Sequence, residues 1–148
     1  MDNTSLPFFI NGVEYLYSPV TLAYCMDGQK TTQEKVSSCE LLVKRLQEIK
    51  REAKNHWTIN FSVDIAVKDI GCMSVGLGDN ESVITWYNSS EDAYLTSLGD
   101  ESASGFTIYH FGDWTEMPNK HSISWEKAVM TMRAWVETGE TGDCINWI

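Results

Sequence analysis

The sequence predicts an α+β domain, in which a mostly antiparallel β-sheet packs with two α-helices. Apolar residues alternate with polar ones over residues 57–65, which is typical of a half-buried strand. Apolar residues recur at helical spacing in residues 38–53 and 125–138. The short connections between the other strand candidates are rich in Gly, Asn, Ser and Asp, which favours an antiparallel meander. A length of 148 residues fits a single domain, 1–148.

The N-terminal segment predicts a β-hairpin. Apolar runs at residues 7–10 and 13–17 flank Asn11-Gly12, and an Asn-Gly pair between such runs is a strong signal for a two-residue turn. A further short strand is expected at residues 20–25, followed by a loop at residues 26–30. These elements precede the first helix.

The first helix is expected to span residues 38–53. Its apolar stripe is formed by residues at helical spacing: Leu42, Leu46, Ile49 and Ala53. Ser37 with Glu40 has the capping-box pattern, and Thr31 with Glu34 offers an earlier start. An amphipathic helix packed on the sheet is the simplest interpretation.

The C-terminal half predicts four strands, a second helix and a last strand. The strand candidates are residues 73–77, 82–87, 94–98 and 106–111. The second helix is expected at residues 125–138, with Ser124 as its N-cap and Gly139 in the left-handed position that ends a helix. Residues 144–147 are then expected to return to the sheet as a strand.

Composition excludes several classes of protein. The chain carries 21 acidic and 11 basic residues, a net charge of −10. This charge disfavours general nucleic-acid binding, which needs clustered Lys and Arg, and also disfavours anionic membranes. No apolar run approaches the length of a membrane span, and residues 1–5 show no pattern of a secretory signal, so a cytoplasmic protein is expected.

The cysteines and histidines predict neither a disulfide framework nor a metal site. The four cysteines lie far apart without a C-x-x-C pair, so reduced and mostly buried thiols are expected. The three histidines do not supply the close ligand pairs that zinc needs. We therefore expect no metal and no cofactor.

The sequence also lacks the motifs of the common enzyme classes, so no catalysis is expected. There is no nucleophile elbow, Walker loop or H-E-x-x-H motif. Gly76-Leu77-Gly78 fits a strand end with a sharp turn better than a phosphate loop. His110 fits a packed or edge position, and Asp113 and Glu116 fit a solvated turn before Pro118.

One long stretch of the chain is acidic and free of bases. No Lys or Arg occurs between Lys68 and Lys120. The stretch is either a solvated face or a docking surface for a basic partner, and Trp86 and Trp114 within it are candidate interface anchors. The candidate partner-binding residues are Asp79, Glu81, Trp86, Glu91, Asp92, Asp100, Glu101, Asp113, Trp114 and Glu116.

Three motifs in this order resemble family one of the bacterial immunity proteins of polymorphic toxin systems. The first is Gly76-Leu77-Gly78 followed by the strand at residues 82–87, and the second is Gly-Asp-Trp-Thr-Glu-Met-Pro at residues 112–118. The third is Thr-Gly-Glu at residues 138–140, leading to Cys-Ile-Asn-Trp at residues 144–147. The match covers residues 72–147, with one departure at Gly142, where the family commonly has a proline.

The resemblance implies a small cytoplasmic antidote encoded beside a secreted toxin, which is often a nucleic-acid deaminase. The expected partner is one toxin domain bound one to one, through an acidic face that covers the basic active-site mouth. The alternative is a DNA-mimic inhibitor of a DNA-binding protein. A subunit of a larger assembly would also expose tryptophans.

Overall fold

The computed structural model of the chain describes residues 7–10, 13–16, 20–25, 31–53, 60–68, 70–88, 91–111 and 113–148. Within them it has two α-helices and a mostly antiparallel sheet, which confirms the predicted α+β class. The strands are β1 (Pro7–Ile10), β2 (Val13–Leu16), β3 (Val20–Tyr24), β4 (Thr32–Val36), β5 (Asn60–Val67), β6 (Gly71–Leu77), β7 (Glu81–Asn88), β8 (Ala93–Leu98), β9 (Phe106–His110), β10 (Trp114–Pro118), β11 (Ile123–Ser124) and β12 (Asn146–Trp147). The helices are α1 (Cys39–Ala53) and α2 (Trp125–Thr138).

The described strands form one large sheet and a separate hairpin. The main path of the sheet runs β10-β9-β5-β6-β7-β8-β12, with β3 and then β4 added beside β5, and β11 beside β7. The pairings are antiparallel except for β5 with β9, which is parallel through Asn60–Tyr109 and Phe61–His110. β5 therefore shares one of its edges between β3 and β9. The consecutive β5, β6, β7 and β8 form the predicted meander.

One face of the sheet is covered by both helices. The alternating residues Val63 and Ile65 of β5 and Val75 of β6 are fully buried there. α1 contributes Leu42, Leu46 and Ile49 from its apolar stripe, and α2 contributes Met132 and Trp135. Burial of such side chains, at about 25 cal/mol per Å² of apolar surface, is the main source of stability for this layer.

The first helix begins one residue later than the capping box predicts. The Oγ of Ser38 accepts a hydrogen bond from the backbone N–H of Leu41 at 3.1 Å, so Ser38 and not Ser37 is the N-cap. The earlier start at Thr31 is also wrong, because residues 32–36 form strand β4. Glu34 of that strand accepts hydrogen bonds from Tyr24 and Arg45, contacts that lie far away in sequence.

The second helix has the predicted ends. The Oγ of Ser124 accepts from the N–H of Lys127 at 3.2 Å, and the N–H of Gly139 donates to the carbonyl of Trp135 at 2.8 Å. Gly139 has a φ of 81°, the expected left-handed cap. Gly142 has a φ of 73°, which a proline ring cannot adopt, so the departure from the family pattern suits this turn.

Several expectations fall partly outside the described residues. β1 and β2 pair as the predicted hairpin, with Ile10 opposite Val13, but the Asn11-Gly12 turn and the loop at residues 26–30 lie outside them. The strand predicted from residue 57 is described from Asn60 onwards. The last strand is shorter than predicted, residues 146–147. Neither of the two helices is both long and apolar enough to span a bilayer.

Candidate binding surface

Strands β9 and β10 form a two-stranded ribbon at one end of the sheet path. Their antiparallel register places Phe106 opposite Pro118, Ile108 opposite Glu116 and His110 opposite Trp114. Because side chains alternate along a strand, these six residues share one side of the ribbon. We call this side the outer face of the ribbon.

The outer face exposes large apolar side chains. Phe106 is 57% exposed, Ile108 is 40% exposed and Trp114 is 60% exposed. The ring of Trp114 packs edge-on against that of His110, with 6.4 Å between ring centroids. Clustered apolar exposure of this kind marks interaction sites in soluble proteins, whereas single exposed residues do not.

The opposite side of the ribbon is fixed to the sheet by Tyr109. Its side chain is fully buried and lies over two glycines of the β6 end. A Cβ at Gly76 would stand 2.8 Å from the Tyr109 ring, and a Cβ at Gly78 would stand 2.9 Å from its hydroxyl oxygen. The Gly76-Leu77-Gly78 motif is at a strand end, as predicted, but its glycines serve close packing rather than a turn with positive φ.

Seven of the ten candidate residues lie on or around the ribbon. Trp114 and Glu116 belong to β10, which Asp113 directly precedes. Trp114 to Pro118 thus form a strand where a solvated turn was predicted. Asp100 and Glu101 lie exposed in the loop that leads into β9. Asp79 and Glu81 flank the turn between β6 and β7, close enough for their charges to act on Tyr109.

The ionisation of two groups near the ribbon reflects this arrangement. Burial, and then the charges of Glu81 and Asp79, raise the pKa of Tyr109 to about 12. The side chain and backbone of Ser102 donate to Asp100 at 2.6 and 2.9 Å, and these hydrogen bonds lower the pKa of Asp100. Asp100 therefore stays ionised while it holds its own loop.

Among the described strands, β10 has a neighbour on one edge only, and its other edge is poorly suited to pairing with another strand. The N–H of Trp114 donates to the carboxylate of Asp113 at 2.8 Å, and Pro118 has no N–H. Charged residues and prolines on an edge are the usual protection against strand addition. The edge of β10 therefore offers few backbone groups to a further strand.

The other three candidate residues lie at the opposite end of β7. Glu81 begins this eight-residue strand, whereas Glu91 and Asp92 follow its end, about 23 Å away at the rise of a β-strand. Trp86 is half-buried against the core, with its ring centroid 6.0 Å from that of Trp147. The hydroxyl of Tyr87 donates to Asp92. The ten residues thus form two groups.

Sequence reasoning missed Phe106 and Ile108 as surface residues. Their alternation predicts a strand with one apolar side, and such a side is normally buried. The sequence feature that could have revealed their exposure is Tyr109, a large aromatic residue on the other side of the same strand that could be the buried one. Which side of a strand is exposed depends on where the neighbouring helices and strands pack against it.

The residues considered for other chemistry have ordinary surroundings. Among the described residues, no group of three or more His, Cys, Asp and Glu side chains is arranged to hold a metal ion. Of the cysteines, Cys39 is buried, Cys25 and Cys144 are half-buried, and Cys72 is exposed. Because one of the four cysteines is buried and the other three are half-buried or exposed, the expectation of mostly buried thiols is wrong.

Helices cover one face of the sheet, and the ribbon exposes apolar side chains with acids nearby. This combination is typical of a protein-binding domain. The chain belongs to the Imm1 family of immunity proteins, whose family model matches residues 30–148. This confirms the resemblance and extends it to α1 and β4. Membership supports an immunity role and implies a toxin partner. A comparison with curated proteins gave no match.

Proposed function

We propose that this chain neutralises a cognate secreted toxin by binding it one to one in the cytoplasm, without a cofactor and without catalysis. The toxin belongs to a polymorphic or contact-dependent system and acts on nucleic acid, as a deaminase would. Residues 1–148 act as one unit in this role. Inhibition results from covering the basic surface on which the toxin holds its substrate.

The outer face of the ribbon is the observation that carries this proposal. Phe106, Ile108 and Trp114 offer apolar and aromatic anchors of the kind that dominate binding energy at protein interfaces. Among the acids, Glu116 shares the outer face with these anchors, and Asp113 directly precedes β10. Asp100 and Glu101 lie in the loop that leads into β9, and Asp79 and Glu81 lie near Tyr109 on the opposite side. An apolar centre with a charged rim is the usual anatomy of a specific interface.

The charge explains how the complex would form quickly. An enzyme that acts on nucleic acid exposes a basic groove for phosphates. A surface with an excess of acids is attracted to such a groove, and steering of this kind raises association rates well above those of neutral pairs. The apolar anchors then slow dissociation, which is where most differences in affinity arise.

The test is binding and inhibition with the toxin domain encoded beside the gene, measured across salt concentrations. In the double variant Phe106→Ala/Trp114→Ala, affinity is expected to fall about 100-fold, mainly through faster dissociation. In Asp113→Lys/Glu116→Lys, the association rate is expected to fall at least tenfold and to lose most of its salt dependence.

The matched control reverses two acids on the helices, Glu52→Lys/Glu126→Lys, which changes the net charge equally. It is expected to leave association and inhibition nearly unchanged. If the ribbon charge reversal and this control behave alike, the ribbon is not the docking surface. If the protein does not inhibit the toxin at all, the antidote role itself is wrong.

The DNA-mimic alternative makes a different prediction. A mimic should bind many DNA-binding proteins, because it imitates phosphate spacing rather than one partner's shape. Capture of several unrelated DNA-binding proteins, with no preference for the neighbouring toxin, would favour it. The anchors on the ribbon favour a single, shape-matched partner.

A further inference from the structure

A cleft lies at the end of β7 farthest from the ribbon. It is enclosed by the β7–β8 hairpin on one side and by the segment that follows α2 on the other, and its volume is about 880 Å³. This size lies within the range of sites that hold a small ligand or several side chains of a partner. Trp86 and Glu91, two of the three candidate residues at this end of β7, line it.

The floor of the cleft is aromatic. Trp86 from β7 and Trp147 from β12 both line it, and their rings meet edge to face at an interplanar angle of 63°. The indole N–H of each tryptophan is buried without an acceptor among the described residues.

The rim of the cleft is acidic. Glu91, Glu140 and Asp143 lie around it, all three exposed, and none of the lining residues that the structure describes is basic. The segment that carries Glu140 is held by the turn after α2, where the N–H of Glu140 donates to the Oγ1 of Thr138 at 3.1 Å. The left-handed conformations of Gly139 and Gly142 set the direction of this turn.

We propose that this cleft is a second docking site, which receives an arginine-bearing segment of the toxin. The proposal rests on the proposed function, because it assigns the second acidic group to the same partner. A guanidinium group is planar and weakly hydrated, so it stacks on indole rings and pairs with carboxylates better than an ammonium group does. The three acids supply the pairing charge and the two tryptophans supply the stacking surface.

The cleft can be tested without the toxin. The probe is the peptide Ac-Gly-Arg-Gly-Arg-Gly-NH2, added to ¹⁵N-labelled protein while the indole N–H signals are followed by NMR. The signals of Trp86 and Trp147 are expected to shift with the peptide, while those of Trp114 and Trp125 stay in place. The same peptide with citrulline in place of arginine has nearly the same shape without the charge, and is expected to bind at least tenfold more weakly.

A pair of triple variants locates the binding charge. Glu91→Gln/Glu140→Gln/Asp143→Asn neutralises the rim and is expected to weaken peptide binding at least tenfold. Asp100→Asn/Glu101→Gln/Glu116→Gln removes the same charge near the ribbon and is expected to retain binding. Equal weakening in both variants would mean only general attraction between opposite charges and would overturn the proposal.

Further outcomes would reject either the cleft or the antidote role. An absence of shifts at 10 mM peptide, or equal shifts with the citrulline peptide, overturns the arginine site. If the unchanged protein does not bind the peptide and the rim variant still inhibits the toxin, the cleft is rejected and the antidote role stands. Peptide binding without toxin inhibition rejects the antidote role instead.

Discussion

Strands β5 and β9 both have an apolar side, but only β5 buries it. Ile65 of β5 faces the two helices and is fully buried, whereas Ile108 of β9 is 40% exposed. In β9 the buried residue is Tyr109, on the other side of the strand. Alternation therefore identifies a strand with two unlike sides, but the next layer decides which side is buried.

The largest expected effect comes from making the same substitution in both strands. Ile65→Ala leaves a cavity in the core and is expected to lower the free energy of unfolding by about 2–5 kcal/mol. Ile108→Ala removes an exposed side chain and is expected to change it by no more than about 0.5 kcal/mol. Urea denaturation with the slope compared between variants measures both. Similar losses in the two variants would remove the distinction between the regions.

A second prediction tests how the ribbon is attached to the sheet. In Gly76→Ala the new methyl group would meet the ring of Tyr109 at 2.8 Å, so the ring must move. We expect a loss of about 1–3 kcal/mol in the free energy of unfolding. Ser74→Ala, two residues earlier on the same side of β6, is the control and should cost less. A stable Gly76→Ala variant with unchanged near-UV circular dichroism would contradict this packing.

A third prediction concerns the edge formed by β3 and β4. Arg45 holds Glu34 through a fork, with Nε to Oε1 at 2.5 Å and Nη2 to Oε2 at 3.1 Å. This hydrogen bonding lowers the pKa of Glu34 below its ordinary value of 4.5, an effect that burial partly opposes and the hydroxyl of Tyr24 assists. Glu34→Gln is expected to cost about 1 kcal/mol at pH 7.

The pH dependence gives the sign of that contribution. Because the pKa of Glu34 is lower in the folded chain than in the unfolded one, its stabilisation is fully present above pH 4.5. It is lost as the pH falls through the folded pKa. The stability difference between the two proteins should therefore shrink in acid, when urea midpoints are measured from pH 7 downwards. A difference that stays constant in acid would mean that the carboxylate charge plays no part.

The smallest expected effect concerns the acids of the ribbon. Asp113→Asn/Glu116→Gln removes two exposed charges and is expected to change the free energy of unfolding by less than about 0.5 kcal/mol. The same substitutions should slow association with the toxin, so stability and binding would respond separately. A large loss of stability would instead assign these acids a structural role.

Much of the fold follows from local patterns. α2 could be predicted from its stripe and both of its ends, because Ser124 and Gly139 act through neighbours within four residues. β4 could not, since Thr32–Val36 has a single apolar residue at its end. Its strand conformation depends on pairing with β3 and on the contact from Arg45 to Glu34, both of which are distant in sequence.

The sequence predicted which residues are candidates for the site, but it did not predict that they lie in two separate groups. The acids and the two tryptophans are visible in a sequence without bases, yet β7 separates Glu81 from Glu91 by its own length. Glu140 and Asp143 join Glu91 only because β12 returns beside β8. The order of the strands in the sheet decides which acids become neighbours, and a count of charges along the sequence carries no information about that order.

The protected edge of β10 has a consequence for the protein before it meets its partner. An antidote must be present ahead of its toxin, so it accumulates with its apolar face uncovered. Polymerisation of β-proteins starts most readily at an open strand edge beside exposed apolar surface. Because Asp113 occupies the N–H of Trp114 and Pro118 has none to offer, a neighbouring copy finds few hydrogen bonds to extend. The exposed apolar face can therefore accumulate in excess with little tendency to form fibres.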